Sequence, residues 1–295
     1  VSILSLQNIS KRYGAIQALS GVSFEVPKGA VFGILGPNGS GKTTLLGIVT
    51  DVLKADEGNY RLFDEAPAAR LRRQIGTLLE TPNFYHYLSG HQNLQVAASI
   101  KQRPEQDIDR VLEIAGLTGR RHSRFKTYSL GMKQRLAIAS SLLGDPDVLI
   151  LDEPTNGLDP AGIAEVRQLI QKLAQSGKTI ILASHLLDEV EKVCTHVAIL
   201  QKGKLLLSGS VNEVLVREDF VELSCNNNQA LETLIARHPA FNHILQRSEH
   251  LQVVFREPVD LAALNAWCAE QGIWLNHLHI RKQSLEKAFL QITNN

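Results

Sequence analysis

No stretch of this sequence is apolar for anything like the ~20 residues that a helix needs to cross a bilayer, and runs such as Thr179 to Ala183 are far shorter. That excludes a chain that builds a membrane pore by itself. The beginning of the sequence also carries no basic-then-apolar signal pattern, so the expectation is a chain of cytosolic type. Cysteine is scarce. The three present, Cys194, Cys225 and Cys268, share no metal-ligand or disulfide spacing, which reads as small buried apolar side chains in a reducing compartment. Net charge is nearly absent as well: 31 Lys and Arg against 30 Asp and Glu leave +1. The densest basic stretch, Arg120 to Lys126, is short and holds one aromatic, Phe125, where a nucleic-acid surface interleaves several, so it reads as a solvated face and no nucleic-acid partner is expected. Low-complexity tracts, internal repeats and long heptad insertions are missing too.

What remains is an ordinary folded chain of 295 residues, 44% hydrophobic and 21% charged. That length lies near the point where one core stops growing, so a large domain with a small companion is expected. From Val31 to about Leu207, short β-rich runs alternate with helical patterns, as in a parallel sheet covered by helices. Strands are expected at Val31 to Leu35, Ile75 to Leu79, Val148 to Leu151, Thr179 to Ala183 and Val197 to Leu200. Ile3 to Ile9 and Ser20 to Val26 alternate about a turn at Gly14 and read as an antiparallel edge. Residues 89–143 read as helical throughout, an inserted helical subdomain. After Gly209 the texture changes. The fold class expected is therefore α/β: a cassette over residues 1–215, followed by a small α+β accessory domain over 216–295. The tail is expected to hold strands at 219–224, 250–255 and 273–279 and helices at 229–237, 259–271 and 284–293.

Gly36-Pro37-Asn38-Gly39-Ser40-Gly41-Lys42-Thr43 fits G-x-x-x-x-G-K-[ST], directly after an expected strand and before the helical run that starts at Thr44. Glycines let the backbone turn its N–H groups toward phosphates, and the helix N-terminus adds partial positive charge. Lys42 then reaches the β- and γ-phosphates, and the Thr43 hydroxyl is placed for Mg²⁺. Val148 to Leu151 is a buried-type strand that ends in Asp152 and Glu153, which puts two carboxylates at the end of the sheet where nucleotide crevices lie. Asp152 suits Mg²⁺, directly or through water. Glu153 suits a general base that polarises an attacking water.

With these motifs in place, residues 1 to about 215 resemble the ATPase subunits of ATP-binding-cassette (ABC) transporters, with landmarks in the family's order and spacing. The resemblance implies a P-loop NTPase cassette that binds ATP and hydrolyses it. Tyr13 falls where the family stacks an aromatic on adenine. Tyr128-Ser129-Leu130-Gly131-Met132 occupies the place of the family signature LSGGQ, Gly157-Leu158-Asp159 that of the D-loop and Ser184-His185 that of the H-loop. By this resemblance the nucleotide contacts are Tyr13, the loop from Gly36 to Thr43 with Thr44, Ser129, Gly131 and Asp159. The catalytic groups are Glu153, His185 and Lys42, and the metal-side oxygens those of Thr43, Glu80 and Asp152. The family also implies a second ATPase subunit clamped head to tail, as a homodimer or heterodimer. It further implies a separate membrane permease, which would hold this chain at the inner face of the membrane.

Three residues depart from the family pattern. Glu80 stands for the Q-loop glutamine, Leu130 for the first signature glycine and Met132 for the signature glutamine. Ser129 and Gly131 are kept, so contact with a γ-phosphate is expected, yet Leu130 cannot take glycine-only backbone angles. Slower hydrolysis and a partner with a different signature both stay open. The stretch from Glu80 to Leu94, with Phe84, Tyr85 and Tyr87, reads equally as a surface for the permease's coupling helix or as packing inside the helical subdomain. With the tail motif Ser284 to Leu290, these features resemble the bacterial export subfamily that includes antibiotic and peptide self-protection ATPases. Two other readings compete. One is a cassette ATPase acting on soluble partners; the other is a nucleotide sensor with little turnover.

Overall fold

A computed structural model describes residues 2–79, 83–214, 220–247 and 249–281. The chain divides into two compact units, Val1–Val214 and Leu215–Asn295. Two expectations, the Glu80 side of the Q-loop and the last helix at 284–293, lie outside the described residues.

In the first unit, β1 (Ser2–Tyr13) and β2 (Ile16–Pro27) pair antiparallel about the turn at Gly14, whose φ is +57°. This hairpin is not the edge of the main sheet. It forms its own three-stranded sheet, in the order β2-β1-β4, with β4 (Glu57–Leu62). Gly58 allows that pairing, because a Cβ there would stand 2.3 Å from the Asn8 carbonyl oxygen.

The main sheet runs β5-β6-β7-β3-β8-β9. Its strands are β3 (Val31–Leu35), β5 (Ile75–Leu78), β6 (Val148–Asp152), β7 (Thr179–Ser184), β8 (His196–Gln201) and β9 (Lys204–Ser210). All pairings are parallel except that of β8 with β9, so the antiparallel edge comes from a strand the local pattern did not announce. Every residue of β3, β6 and β7 is buried, which is why these strands read as unbroken apolar runs instead of alternating ones. Helix α1 (Lys42–Val49) follows β3, and a single turn, α2 (Ala69–Arg72), precedes β5.

The helical subdomain holds α3 (Gly90–Lys101), α4 (Asp107–Ile114) and α5 (Leu130–Ser141), separated by turns and two short 3₁₀ segments. It is thus less continuously helical than the sequence pattern. Ser89 and Gln92 form a reciprocal capping box that starts α3. Helix α6 (Pro160–Gln175) buries Val166, Leu169, Ile170 and Leu173, one stripe of a 3.6-residue repeat. Two shorter helices, α7 (Leu187–Val193) and α8 (Val211–Val214), complete the unit.

The second unit is a four-stranded antiparallel sheet in the order β11-β12-β10-β13. It comprises β10 (Phe220–Cys225), α9 (Asn228–Ile235), β11 (Phe241–Arg247), β12 (Leu251–Phe255), α10 (Leu261–Glu270) and β13 (Leu275–Arg281). Val221, Leu223, Leu251 and Val253 of the sheet pack with Leu231, Ile235, Leu264 and Cys268 of the helices into a core of its own. No helix among the described residues is long and apolar enough to cross a membrane.

Candidate functional site

Three adjacent strands set the site. β7 lies between β6 and β3, so the segments leaving the carboxyl ends of all three come together at one edge of the sheet. The first is the glycine-rich loop after β3. Gly41 has φ +104°, and a Cβ on it would stand 2.6 Å from the Ala18 carbonyl oxygen, so only glycine fits where the loop turns into α1. Pro37, Asn38, Gly39 and Thr43 are exposed, and Thr44 is half-buried. Ser40 is different. Its side chain is buried beneath Gly36, which leaves its backbone N–H, donated to Pro37 O at 3.1 Å, as part of the loop's own turn.

Lys42 is buried. Its Nζ donates to Gly36 O at 2.8 Å and Pro37 O at 3.3 Å, and stands 3.4 Å from Oε1 of Glu153. Glu153 takes a left-handed φ of +47°, uncommon for a residue with a side chain. Its N–H donates to Ala183 O on β7 at 3.0 Å, and its second oxygen, Oε2, lies 2.9 Å from Nδ1 of His185. One carboxylate thus links the lysine after β3 to the histidine after β7. Asp152, the last residue of β6, is buried beside it. Sequence reasoning found each of these residues but not their mutual contact. It also missed the part played by Ser184, whose hydroxyl accepts the Leu186 N–H at 3.0 Å and so shapes the turn carrying His185. The signal was a serine directly after the expected strand Thr179 to Ala183, placed to accept the N–H two residues on.

The remaining candidates sit elsewhere in the unit. Tyr13 ends β1, 45% exposed, with Lys11 Nζ 5.7 Å from its ring centre. Ser129 caps α5, its hydroxyl accepting the Met132 N–H at 3.2 Å. Asp159 caps α6 in the same way, accepting the Gly162 N–H at 2.9 Å. Gly131 faces α6, where a Cβ would come within 3.5 Å of Gly162 Cα. Leu130 is the first residue of α5 and is not among the residues with positive φ. The concern over glycine-only angles there is therefore removed. Among the described residues, no hydrogen bond or ion pair joins Ser129, Gly131 or Asp159 to the Lys42–Glu153–His185 cluster.

The aromatic stretch after β5 divides between packing and exposure. Phe84 packs edge-on against buried Phe125, with ring centres 5.2 Å apart, while Tyr85 and Tyr87 are exposed. Beside them runs a groove of about 690 Å³ lined by Leu78, Leu79, Phe84, Val96, Ile100 and Lys101.

Residues 19–156 match the family described as ABC transporter. A bacitracin transport ATP-binding protein of Bacillus licheniformis is 34% identical over 99% of this chain and 97% of its own length. A Nod factor export ATP-binding protein of Ralstonia nicotianae is 34% identical over 99% of this chain and 94% of its own. Among solved structures, a dimeric ATP-binding cassette in a post-hydrolysis state, bound to ADP and phosphate, aligns with a TM-score of 0.63 at 26% identity. That alignment covers 70% of this chain and 98% of that one.

Proposed function

Since the chain belongs to the ABC transporter family of ATP-binding proteins, we propose that its Lys42–Glu153–His185 cluster is the hydrolytic centre of an ATPase that drives export. Membership makes the chain an ATP-binding and ATP-hydrolysing transporter subunit. The reading of its site rests on one observation: a single carboxylate is shared between the phosphate-loop lysine and the histidine after β7.

When the β- and γ-phosphates arrive, Lys42 exchanges Glu153 for the more highly charged phosphate oxygens. The released carboxylate, held in line by His185, takes a proton from water as its oxygen attacks the γ-phosphorus. The bond to the bridging oxygen breaks, and ADP leaves with that electron pair. His185 then faces the transferred phosphoryl group. The exposed Thr43 hydroxyl and the buried Asp152 carboxylate are hard oxygen donors that fit Mg²⁺, which when bound neutralises charge on the phosphates. Glu80 is assigned to the metal side and to coupling on sequence grounds alone.

Ser129, Gly131 and Asp159 belong, in this reading, to the ATP held by a second ATPase subunit, and Tyr13 stacks on adenine. The Ser129 hydroxyl and the N-terminus of α5 offer donors and a dipole suited to a γ-phosphate. The groove at Phe84 and Ile100 takes the coupling helix of a membrane permease, which holds the chain at the inner face of the membrane. The second unit carries none of the phosphate-site residues and is assigned an accessory, regulatory role. Single-turnover hydrolysis by Glu153→Gln tests the centre: turnover falls by ~10²- to 10⁴-fold while ATP binding persists. Turnover at the wild-type level removes Glu153 from the reaction.

A further inference from the structure

The basic stretch Arg120 to Lys126 takes no part in the nucleotide site, yet the fold gives it company that the sequence does not reveal. Residues 86–91 run beside it. Lys126 N–H donates to His86 O at 3.1 Å, Phe125 N–H to Leu88 O at 2.8 Å and His91 N–H to Arg121 O at 2.9 Å, and Ser89 and Arg124 form an antiparallel bridge. Phe125 is the buried pin between the two segments, touching Phe84, His86 and Tyr128. The outcome is a surface where Arg120, His122, Arg124 and Lys126 lie exposed alongside Tyr85 and Tyr87, the latter 68% exposed. Because Phe125 is buried, the exposed aromatics beside the basic stretch come from its neighbour.

This surface is not a balanced solvated face. Arg121 is paired with Asp109, but Arg120, Arg124 and Lys126 have no ion-pair partner among the described residues. Nor does the local sequence hold acids to offset them: there is no Asp or Glu from Asn83 to Pro104, and none from Ile114 to Gly144. In a chain whose net charge is only +1, that is a marked concentration of positive charge at one place. Arg120, Arg124, Lys126 and Tyr87 stand on exposed loops and do not line the groove at Leu79, Phe84 and Ile100, whose rim Tyr85 shares. Uncompensated cations beside exposed tyrosines match an anionic bilayer surface, where basic side chains meet headgroup charge and tyrosine rings sit at headgroup level.

We infer that this face, centred on Arg120, Arg124, Lys126 and Tyr87, binds anionic phospholipid headgroups and sets the chain against the membrane independently of its protein partners. The test is flotation of the full chain with vesicles of phosphatidylcholine alone and with vesicles half phosphatidylglycerol, at low and raised salt. Wild type partitions onto the anionic vesicles only, and added salt releases it. Each cation near such a surface is worth about fivefold in affinity, so the triple variant R120Q/R124Q/K126Q binds on the order of a hundredfold more weakly. R120K/R124K keeps wild-type partitioning because charge is what holds it. Basal ATPase rates equal to wild type show that the variants are folded. Wild type that ignores anionic vesicles overturns the proposal. So does a triple variant that binds them like wild type, the result expected if the patch meets an acidic protein segment instead. Loss of binding by R120K/R124K as complete as in the triple variant also overturns it.

Discussion

Nδ1 of His185 and Oε2 of Glu153 are 2.9 Å apart although 32 residues separate them in sequence. The other oxygen of that carboxylate, 3.4 Å from Lys42 Nζ, is partly balanced by the lysine, so the histidine fixes which way the general base points. His185→Ala is expected to lower kcat by ~10²-fold with KM changed only a few-fold, because orientation is lost while the phosphate loop stays intact. Steady-state kinetics checks this. An unchanged kcat with a raised KM would make His185 a ground-state binding group.

Leu130 stands where the family signature has glycine, but its backbone is that of a helix start. Leu130→Gly relieves no strain and adds chain entropy, so stability falls by no more than about 1 kcal/mol. Turnover stays within about twofold, since no stored strain is released. Thermal melts and ATPase rates measure both. A large gain in rate would show that the leucine side chain, 46% exposed, acts as a brake on the closed dimer.

Asp145 accepts a hydrogen bond from Lys178 at 2.8 Å and faces Arg110 at 3.3 Å, and the Lys178 hydrogen bond leads in holding its carboxyl below the ordinary value of 3.8. A carboxyl depressed in the folded state stabilises above its unfolded pKa, and that contribution is lost as pH falls through the folded value. Asp145→Asn therefore lowers the melting temperature slightly at neutral pH, and the difference from wild type closes below pH 3.8. Exposed pairs of this kind are worth only about 0.2–1 kcal/mol. A difference that persists at low pH would assign the effect to the left-handed turn at Asp145, φ +51°, and not to charge.

The two units have separate cores, and the Lys42–Glu153–His185 contacts all lie within the first. A chain ending at Val214 is expected to bind ATP with near wild-type affinity while its dimer lifetime or regulation changes. Nucleotide titration and dimer dissociation rates are the measurements. A soluble, folded truncation that fails to bind ATP would place part of the nucleotide site in the second unit.

The phosphate loop could be read from the sequence because its chemistry is local: glycines, lysine and threonine at fixed spacing between a strand and a helix. The sharing of Glu153 could not, because it depends on β7 lying between β6 and β3, and strand order leaves no local mark. β4 escaped notice for another reason. Its Glu57, Gly58 and Asn59 are poor strand formers, and the strand is held by pairing with β1. In β11, register shifts between Phe241 and His243 and between Ile244 and Gln246 break the period of two on which strand recognition rests. For Leu130 the sequence could not say whether the signature position needs a glycine angle, and the helical start of α5 shows that it does not.

The place of β7 has a consequence for the order in which the molecule comes to life. β3 bonds to β7 and β8, and β6 to β5 and β7, so within the described sheet only β7 joins the strand before the phosphate loop to the strand before Glu153. During synthesis a chain that has emerged as far as Gln175 holds both halves of the centre without the seam between them. The same segment that closes the seam also delivers His185. Closing a loop from β3 to β7 spans well over a hundred residues, a slow, non-local step. A half-made chain therefore lacks the assembled hydrolytic centre, and the strand that locks the fold is also the one that arms it.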